Sequence, residues 1–343
     1  MRALAAGLAM AAALAGAGPA AAWGGAGHQL TGAIADQLLG PNARAHVSQI
    51  LGVSLKVAAP WPDCVRQVNM FHGQIQWDKF AKTPAVCVAL ATPAGIDEMV
   101  AYAKANWGQC STPDPSHPCH TQYHFADIPE ADQVYALSRR PGAGDHDVVH
   151  TIKAAVLKLQ GKAPPKPYAA LTDRQALFLL AHMVGDLHQP LHVGALYLQP
   201  DGGRVTDPPK RPPVTMQTIG GNVIMYTKSG GLHGVWDDIP ASFGTDATPA
   251  YVADATQLAA TPGAVLDWPA RWASDSVGQA HTPAFQALVF GQGVSSGPHK
   301  QGLTWPISSR PTDYATTLHA EQRAQVVKGG RRLADILNAI WPG

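Results

Sequence analysis

The chain has 343 residues, of which 46% are hydrophobic and 14% are charged, and its formal net charge is +1. That length and composition suffice for one large hydrophobic core or two smaller ones. The pI is about 7.8. Proteins that hold nucleic acid through a strongly basic surface usually have a pI above roughly 9, so this chain does not belong to that class. A polyanion bound to this chain would therefore be held by something other than lysine and arginine.

The first 22 residues have the pattern of a secretory signal. Arg2 precedes an apolar run from Ala3 to Ala15, and Ala20-Ala21-Ala22 form a small-residue cleavage site. A membrane anchor would need about 20 strongly apolar residues, and this run is shorter and mostly alanine. We therefore expect a secreted or periplasmic protein without stable membrane association, cut before Trp23 so that Trp23 becomes the first residue.

An exported chain with four cysteines is expected to form two disulfides. The four are Cys64, Cys87, Cys110 and Cys119. Three pairings are possible and the sequence does not choose among them, although Cys110 with Cys119 would close a polar loop and leave Cys64 for Cys87. A zinc site through Cys119-His120 is a weaker alternative, because its spacing fits no standard zinc motif.

Apolar residues recur at helical spacing along much of the chain. The first predicted helix runs from Gly27 to Leu39, where Gly40-Pro41 ends it. The pattern predicts further helices over residues 95–107, 147–160, 172–189, 268–280, 283–289 and 321–341. Because no internal repeat or linker divides the chain, residues 23–343 are predicted to form one all-α, mostly helical domain with irregular loops.

The segments between these helices are predicted to be irregular or short strands. The turn that begins at Pro60 leads into a helix that Asp63 is placed to cap. Residues 123–129 are predicted to be a strand or irregular, and residues 220–224 a strand or a tight turn. Residues 199–218 are rich in proline and glycine, and the length of this segment predicts a mobile surface loop.

Two His-x3-Asp pairs stand in the chain, His182 with Asp186 and His233 with Asp237. On a helix, residues four apart project from the same face. Pro190 is predicted to end the first of these helices, so that the chain turns back and brings His192 beside the same face. Imidazole and carboxylate groups together are ligands that Zn²⁺ selects. A buried hydrogen-bonded cluster would explain one such pair alone, but two pairs favour a metal site.

Several short motifs occur in order from Trp23 to the second His-x3-Asp pair. They are Trp23-Gly24…Gly27-His28, Trp61-x-Asp63, His124-Phe125-x-Asp127, the stretch His182–His192, Gly220-Gly221-Asn222 and His233-x2-Trp236-Asp237. As a set they resemble the zinc-dependent single-strand-specific nucleases and 3′-nucleotidases of the S-one/P-one type. The resemblance covers essentially the whole chain after residue 22 and implies an all-α fold that holds three Zn²⁺ in a cleft.

The resemblance also implies which residues hold each zinc ion. One zinc would be held by Asp63, His124 and His182, and a second by the amine and carbonyl of Trp23 together with His28. Asp186 would bridge these two ions, and the third would be held by His192, His233 and Asp237. Three divalent cations against three aspartates leave about +3 of local charge by simple counting, so the metals would replace a basic patch.

Catalytic and substrate-binding roles follow from the same resemblance. Asp63 and Asp186 would act through the metals they hold. Arg66 matches a basic position near the phosphate, although it would equally fit an exposed helix arginine. Phe125 would stack on a base, or else pack in the core, while Asp127 would accept hydrogen bonds from a base edge. Asn222 would also contact the substrate.

The implied function is a monomeric secreted endonuclease that hydrolyses single-stranded DNA and RNA to 5′-nucleotides and also acts on 3′-nucleotides. One alternative is a zinc-dependent phospholipase C-type phosphodiesterase, which shares the tryptophan terminus but usually has glutamate where this chain has Asp237. Another is a secreted zinc-binding protein without catalysis, which would need no base pocket at Phe125 and Asp127.

Overall fold

The computed structural model describes residues 23–109, 118–136, 142–228, 230–295 and 302–343. The predicted signal segment and Cys110 lie outside these ranges. Within the described residues, no helix combines the length and apolar character needed to cross a bilayer.

Helices dominate the described part of the chain, which confirms the predicted mostly helical fold. They are α1 (Gly25–Leu38), α2 (Pro41–Leu51), α3 (Leu55–Ala58), α4 (Trp61–Cys64), α5 (Pro93–Asn106), α6 (Val148–Leu159), α7 (Asp173–Leu187), α8 (Pro190–Val193), α9 (Leu232–Asp237), α10 (Pro249–Thr256), α11 (Trp268–Gly278), α12 (Pro283–Gln286) and α13 (Tyr314–Ile340). The last helix begins earlier than predicted. The helix predicted over residues 283–289 is shorter, because its end pairs as a strand.

Short strands join neighbouring parts of the helical framework. They are β1 (Val68–Phe71), β2 (Gln74–Trp77), β3 (Ile128–Pro129), β4 (Gly194–Ala195), β5 (Ile224–Met225), β6 (Val289–Phe290) and β7 (Trp305–Ser309). β1 and β2 form an antiparallel hairpin, β3 and β4 pair in parallel, and the third sheet has the order β5-β7-β6. In the β3–β4 pair, Ile128 lies opposite Gly194. This pairing holds the segment after His124 against the segment after His192.

The core is organised around α7. From Gln175 to Leu187 every residue of this helix is buried. A capping box fixes its start, since Thr172 Oγ1 accepts from the Gln175 N–H at 3.1 Å and the Gln175 side chain accepts from the Thr172 N–H at 3.2 Å. α6 and α13 both pack against this helix. The polar His182 and Asp186 are therefore buried as well and need partners inside the protein.

Glycines allow α1 to lie very close to its two neighbours. A Cβ added to Gly185 of α7 would come within 2.9 Å of the His28 Nδ1 atom on α1. A Cβ added to Gly330 of α13 would come within 2.6 Å of Ile34, also on α1. Any side chain at either glycine would push α1 outwards, so these two positions set the depth at which His28 enters the core.

The end of α7 differs from the prediction. The helix stops at Leu187, and Pro190 occupies the first turn of the separate helix α8. The Gln189 side chain caps α8 by accepting from the Leu191 N–H at 2.6 Å. Proline suits this position because the first helical residue has no internal acceptor for its N–H. Pro190 thus starts a new helix, and that helix carries His192.

The cysteines follow one of the pairings left open by the sequence. Cys64 and Cys87 form a disulfide, and Cys119 is disulfide-bonded as well. The alternative zinc site at Cys119-His120 is therefore wrong. His120 instead packs between Tyr102 and Trp107, and its burial lowers the pKa of its imidazole to about 3.

The proline-rich segment of residues 199–218 is mostly irregular, with one 3₁₀ turn at Val214–Met216. Two side chains anchor it to the rest of the protein. Arg204 pairs with Glu130 at 2.5 Å and donates to the Phe285 carbonyl at 2.6 Å. Thr218 Oγ1 donates to the Leu196 carbonyl at 2.6 Å. These contacts fix the end of the segment that leads into the Gly220 turn.

Candidate metal centre

Asp186 lies at the junction of three imidazole rings. Its Oδ1 atom lies 3.1 Å from His28 Nε2, and its Oδ2 atom lies 2.9 Å from His124 Nδ1 and 3.2 Å from His182 Nε2. His28 stacks on His182 with ring centroids 3.7 Å apart. Three elements meet here, namely α1, α7 and the 3₁₀ helix Cys119–His124. One carboxylate oxygen faces one imidazole and the other faces two, as expected of a carboxylate that bridges two ions.

Several buried polar atoms in this cluster lack an ordinary hydrogen-bond partner. His182 Nδ1 donates to the Ala59 carbonyl at 2.7 Å, so in a neutral ring its Nε2 carries only a lone pair. That Nε2 faces His124 Nδ1 at 3.1 Å. His28 Nδ1 has no hydrogen-bond partner, and the 3.1 Å contact between His28 Nε2 and Asp186 Oδ1 lacks the geometry of a hydrogen bond. Because each unsatisfied buried polar group costs about 1–3 kcal/mol, these converging acceptors fit a bound cation.

Asp63 joins this cluster from α4. Ligand atoms of His28, Asp63 and His182 lie within 4.8 Å of one another. Asp63 is the third residue of α4 and does not cap it, so the predicted capping role is wrong. Arg66 Nη1 lies 3.5 Å from Asp63 Oδ1, and the two side chains are 21% and 13% exposed. Arg66 is therefore a half-buried neighbour of the cluster.

A second cluster forms where α8 and α9 meet. His192 Nδ1 donates to the His124 carbonyl at 2.8 Å, and His233 Nδ1 donates to the Gly220 carbonyl at 2.6 Å. The two Nε2 atoms then face each other at 3.2 Å. Asp237 Oδ2 lies 3.5 Å from His233 Nε2. Backbone carbonyls that fix a histidine tautomer in this way are typical of metal sites.

Gln189 supports the second cluster from the side. Its Nε2 donates to Asp237 Oδ1 at 2.7 Å, while its Oε1 accepts from the Leu191 N–H. The residue therefore orients Asp237 and caps the helix that carries His192. The sequence did not indicate this contact of Gln189 with Asp237.

The electrostatics of the two clusters also suit cations. Burial raises the pKa of Asp237 well above its usual range, and the Asp63 and Asp186 carboxylates raise it further. Burial lowers the pKa of His28 to about 4 and that of His233 to about 3, which keeps both rings neutral near pH 7. Burial alone would raise the pKa of Asp186, but His182, His124 and His28 hold it well below the usual value. Neutral imidazole and ionised carboxylate are the forms that bind metal, so His28, His233 and Asp186 are already in the binding form near pH 7, whereas Asp237 would lose its proton when a cation binds.

Trp23 lies beside both clusters. Its side chain is fully buried, and a Cβ added to Gly27 would come within 2.9 Å of it. The next residue, Gly24, donates its N–H to the Asp237 carbonyl at 2.8 Å. The start of α1 is thereby tied to α9 of the second cluster. Whether the Trp23 amine is a ligand depends on cleavage after residue 22, so that role stays a prediction.

All eight side chains predicted as metal ligands thus fall into groups with metal-binding spacing. Among the described residues these groups are His28, Asp63 and His182; His124, His182 and Asp186; and His192, His233 and Asp237. The division of ligands between the first two ions stays a prediction, because His182 belongs to both groups.

A model of the S1/P1 Nuclease family matches residues 23–342. The chain belongs to the S1/P1 nuclease family. A search of curated proteins found no match. Membership makes this protein a hydrolytic, metal-dependent nuclease with nucleic acid as substrate, and the three His/Asp groups are where metal ions fit.

The predicted base-binding residues of this S1/P1 nuclease lie beside the second cluster. Phe125 follows His124 directly and is 37% exposed, so the alternative of a core residue is wrong. Asp127 lines a cavity of about 80 Å³ with Gly220, whose carbonyl holds His233. Burial raises the pKa of Asp127 to about 6.

Asn222 donates to the Ile219 carbonyl at 2.7 Å within the turn. Its observed contact is therefore structural, and its contact with substrate stays a prediction.

Ile219 is one of several cavity residues that sequence reasoning missed. It lines the same cavity as Asp127 and is 43% exposed. Its φ of +54° is rare for a β-branched residue, and such a conformation costs about 1–3 kcal/mol. No sequence pattern predicts a strained isoleucine ahead of two glycines.

His188 has no part in either cluster. It is fully buried, its Nδ1 donates to the Val184 carbonyl at 2.6 Å, and its Nε2 accepts from Arg332 at 3.0 Å. It connects α7 to α13 and does not lie on the surface.

Proposed function

We propose that this nuclease is a secreted or periplasmic three-zinc enzyme that hydrolyses single-stranded DNA and RNA to 5′-nucleotides and dephosphorylates 3′-nucleotides. The observation that most supports the proposal is the pair of adjacent clusters in which buried acceptors face one another. His192 connects them, since its Nδ1 is bonded to the carbonyl of His124. A phosphate that reaches one cluster is therefore next to the other.

Zinc fits these donors, because imidazole nitrogens and carboxylate oxygens are both zinc ligands, and zinc is the metal that the family resemblance implies. We propose that Asp63, His124 and His182 hold one ion, that Trp23 and His28 hold the second, and that Asp186 bridges them. His192, His233 and Asp237 would hold the third. Cleavage after residue 22 would free the Trp23 amine for this purpose.

Bound zinc would supply polarisation of the phosphate and activation of water near neutral pH. The protein groups would position the substrate around it. Arg66, held beside Asp63, would donate to a non-bridging phosphate oxygen in the manner of a charge-assisted hydrogen bond. The neutral imidazoles and the dry surroundings of Asp186 would strengthen every charge interaction at the phosphorus atom. The products would carry a 5′-phosphate and a free 3′-hydroxyl.

The cavity beside the second cluster would select an unpaired base. A base that leaves its stack would pack on the solvent-exposed ring of Phe125, two residues before the cavity residue Asp127. The Asp127 carboxylate would accept from donors on the base edge. A base inside a duplex cannot reach this cavity without being unstacked, which costs a few kcal/mol. Single-strand preference follows from that cost.

A side-by-side comparison of substrates tests the proposal. The zinc-loaded protein is expected to hydrolyse single-stranded DNA and a 3′-nucleotide, and to act weakly or not at all on phosphatidylcholine. Preference for phosphatidylcholine would replace the proposal with a phospholipase C-type activity. Absence of hydrolysis in all three assays, with zinc bound, would leave a zinc-binding protein without catalysis.

Replacing Phe125 with alanine should raise KM for single-stranded DNA by about 5-fold to 150-fold, because stacking is worth about 1–3 kcal/mol per base. Bound zinc, measured by atomic absorption, should stay at the level of the unmodified protein because Phe125 is not a ligand. Phe125→Tyr is the matched control and should keep most of the affinity. Loss of zinc in Phe125→Ala would show that the ring supports His124 instead of the substrate.

A further inference from the structure

Residues 65–86 form a loop, here called the cleft loop, that leaves the first metal cluster and returns beside it. At its start, Arg66 Nη1 lies 3.5 Å from Asp63 Oδ1. At its end, Val86 packs so closely on α1 that a Cβ added to Gly25 would come within 2.6 Å of it. The Cys64–Cys87 disulfide joins the two ends. The loop is therefore an extension of the wall of the metal centre.

The cleft loop displays an aromatic ring in solvent. Phe80 is 87% exposed, although full burial of such a side chain is worth about 1.5–3 kcal/mol. Its backbone is held firmly, since Asp78 Oδ1 accepts from the Phe80 N–H at 2.9 Å and from the Ala81 N–H at 3.1 Å. The Asp78 N–H in turn donates to the Gln67 carbonyl at 2.7 Å.

These hydrogen bonds also set an upper limit on the distance between Phe80 and Gln67. Gln67 is the residue after Arg66, and Asp78 is bonded to it. Two residues of chain span at most about 7 Å, so the Cα of Phe80 lies no further than that from Asp78. The backbone of Phe80 is thus tethered to the residue that follows Arg66, while the Phe80 ring remains free in solvent.

The cleft loop is also locally basic. Its charged residues are Arg66, Lys79 and Lys82 against the single carboxylate of Asp78, whereas the whole chain has a net charge of only +1. Lys79 Nζ lies 5.3 Å from the centre of the Phe80 ring, and Lys82 is exposed two residues further on. An exposed aromatic ring between lysines is the pattern with which proteins bind single-stranded nucleic acid without sequence preference.

We propose that the cleft loop is a stacking site for polymeric substrates, outside the base cavity at Phe125. A base of the strand whose scissile phosphate lies at the metal centre stacks on Phe80, and Lys79 and Lys82 contact the phosphates beside it. This inference rests on the proposed function. A 3′-nucleotide has one base and one phosphate, both of which are used at the metal centre. The cleft loop therefore affects long strands and not mononucleotides.

Kinetics on two substrates tests this assignment. In Phe80→Ala, KM for a twelve-nucleotide single strand should rise by about 5-fold or more, which corresponds to the lower end of measured base stacking. The kinetic constants for a 3′-nucleotide should not change, and Phe80→Tyr should restore strand binding. Val289→Ala, at a valine that is 54% exposed on β6, is the control for loss of an exposed apolar side chain. An equal change for both substrates, or no change for the strand, would overturn the proposal.

Salt dependence tests the two lysines separately. Each phosphate contact to a single strand contributes about 0.7 to the slope of log affinity against log salt, so Lys79→Ala with Lys82→Ala should reduce that slope by about 1.4. Lys162→Ala, at a lysine that donates to Gln160 outside the cleft loop, should leave the slope unchanged. A slope that does not change in the double variant would overturn the role of the lysines.

Direct binding separates failure of this inference from failure of the proposed function. If the unmodified protein hydrolyses neither substrate, the proposed function fails, and fluorescence anisotropy of a labelled strand still reports on the cleft loop. Weaker binding by Phe80→Ala then supports the stacking site. Equal binding, or a change in self-association or in binding to phospholipid vesicles without a change in strand binding, overturns it.

Discussion

Replacing Asp186 with asparagine should lower kcat/KM on single-stranded DNA by roughly a thousandfold or more and reduce the zinc content. The carboxylate contacts His28, His124 and His182 and is fully buried. Asparagine has the same shape but carries no negative charge, and its amide nitrogen would point at a cation or at an imidazole lone pair. The substitution therefore removes the proposed bridging ligand and puts a donor in its place.

Three measurements on the purified variant test this expectation. Zinc per chain, activity on single-stranded DNA and the circular dichroism spectrum separate loss of metal from loss of fold. Asp97→Asn, at an exposed carboxylate of α5, is the matched control and should keep full activity and zinc. Near-normal activity of Asp186→Asn with full zinc content would show that Asp186 does not bridge metals.

The grouping of the candidate ligands was predictable in part, because two pairs of them follow from local helix geometry. His182 with Asp186 and His233 with Asp237 share a helix face at a spacing of four residues, and the structure places both pairs on helices. His28, Asp63 and His124 have no such local signal. They were identified only through a resemblance of ordered motifs, since contacts such as that of His124 with Asp186 join residues 62 positions apart.

The groups that orient the ligands could not be predicted in the same way. His182, His192 and His233 each donate Nδ1 to a backbone carbonyl, from Ala59, His124 and Gly220 respectively. Every residue has a backbone carbonyl, so the sequence does not indicate which carbonyl accepts the hydrogen bond. Only the folded backbone shows that these carbonyls leave each Nε2 free to face the cluster.

At Asp63 and Pro190 the structure differs from what local sequence preferences predict. Asp63 has the residue type of a helix cap, but it stands inside α4 and its carboxylate faces His28 and Arg66. The sequence around Pro190 correctly indicated a break in the helix, yet not the second helix that begins there. For Asp63, contacts with His28 and His182, which lie far along the chain, outweigh the local preference for a cap position.

Removal of zinc should lower the melting temperature as well as the activity. Without cations, the Nε2 atoms of His192 and His233 face each other at 3.2 Å, and Asp237 remains buried among other carboxylates. A ligand present at a thousand times its Kd stabilises the folded state by about 4 kcal/mol. For a domain larger than about 150 residues that corresponds to a shift of roughly 10 °C. Calorimetry before and after EDTA treatment measures the shift, and added zinc should reverse it.

The size of that shift also locates the stabilising ion. His233→Ala removes a ligand of the second cluster and leaves the four side chains around His182 intact. If both clusters contribute, EDTA should shift the melting temperature of this variant by less than that of the unmodified protein, while zinc should still restore part of it. The contrary outcome is that EDTA removes the zinc and yet leaves the melting curve unchanged. In that case hydrogen bonds would hold the ligands in place without metal, such as those of His182 with Ala59 and of Gln189 with Asp237. Zinc would then serve catalysis alone.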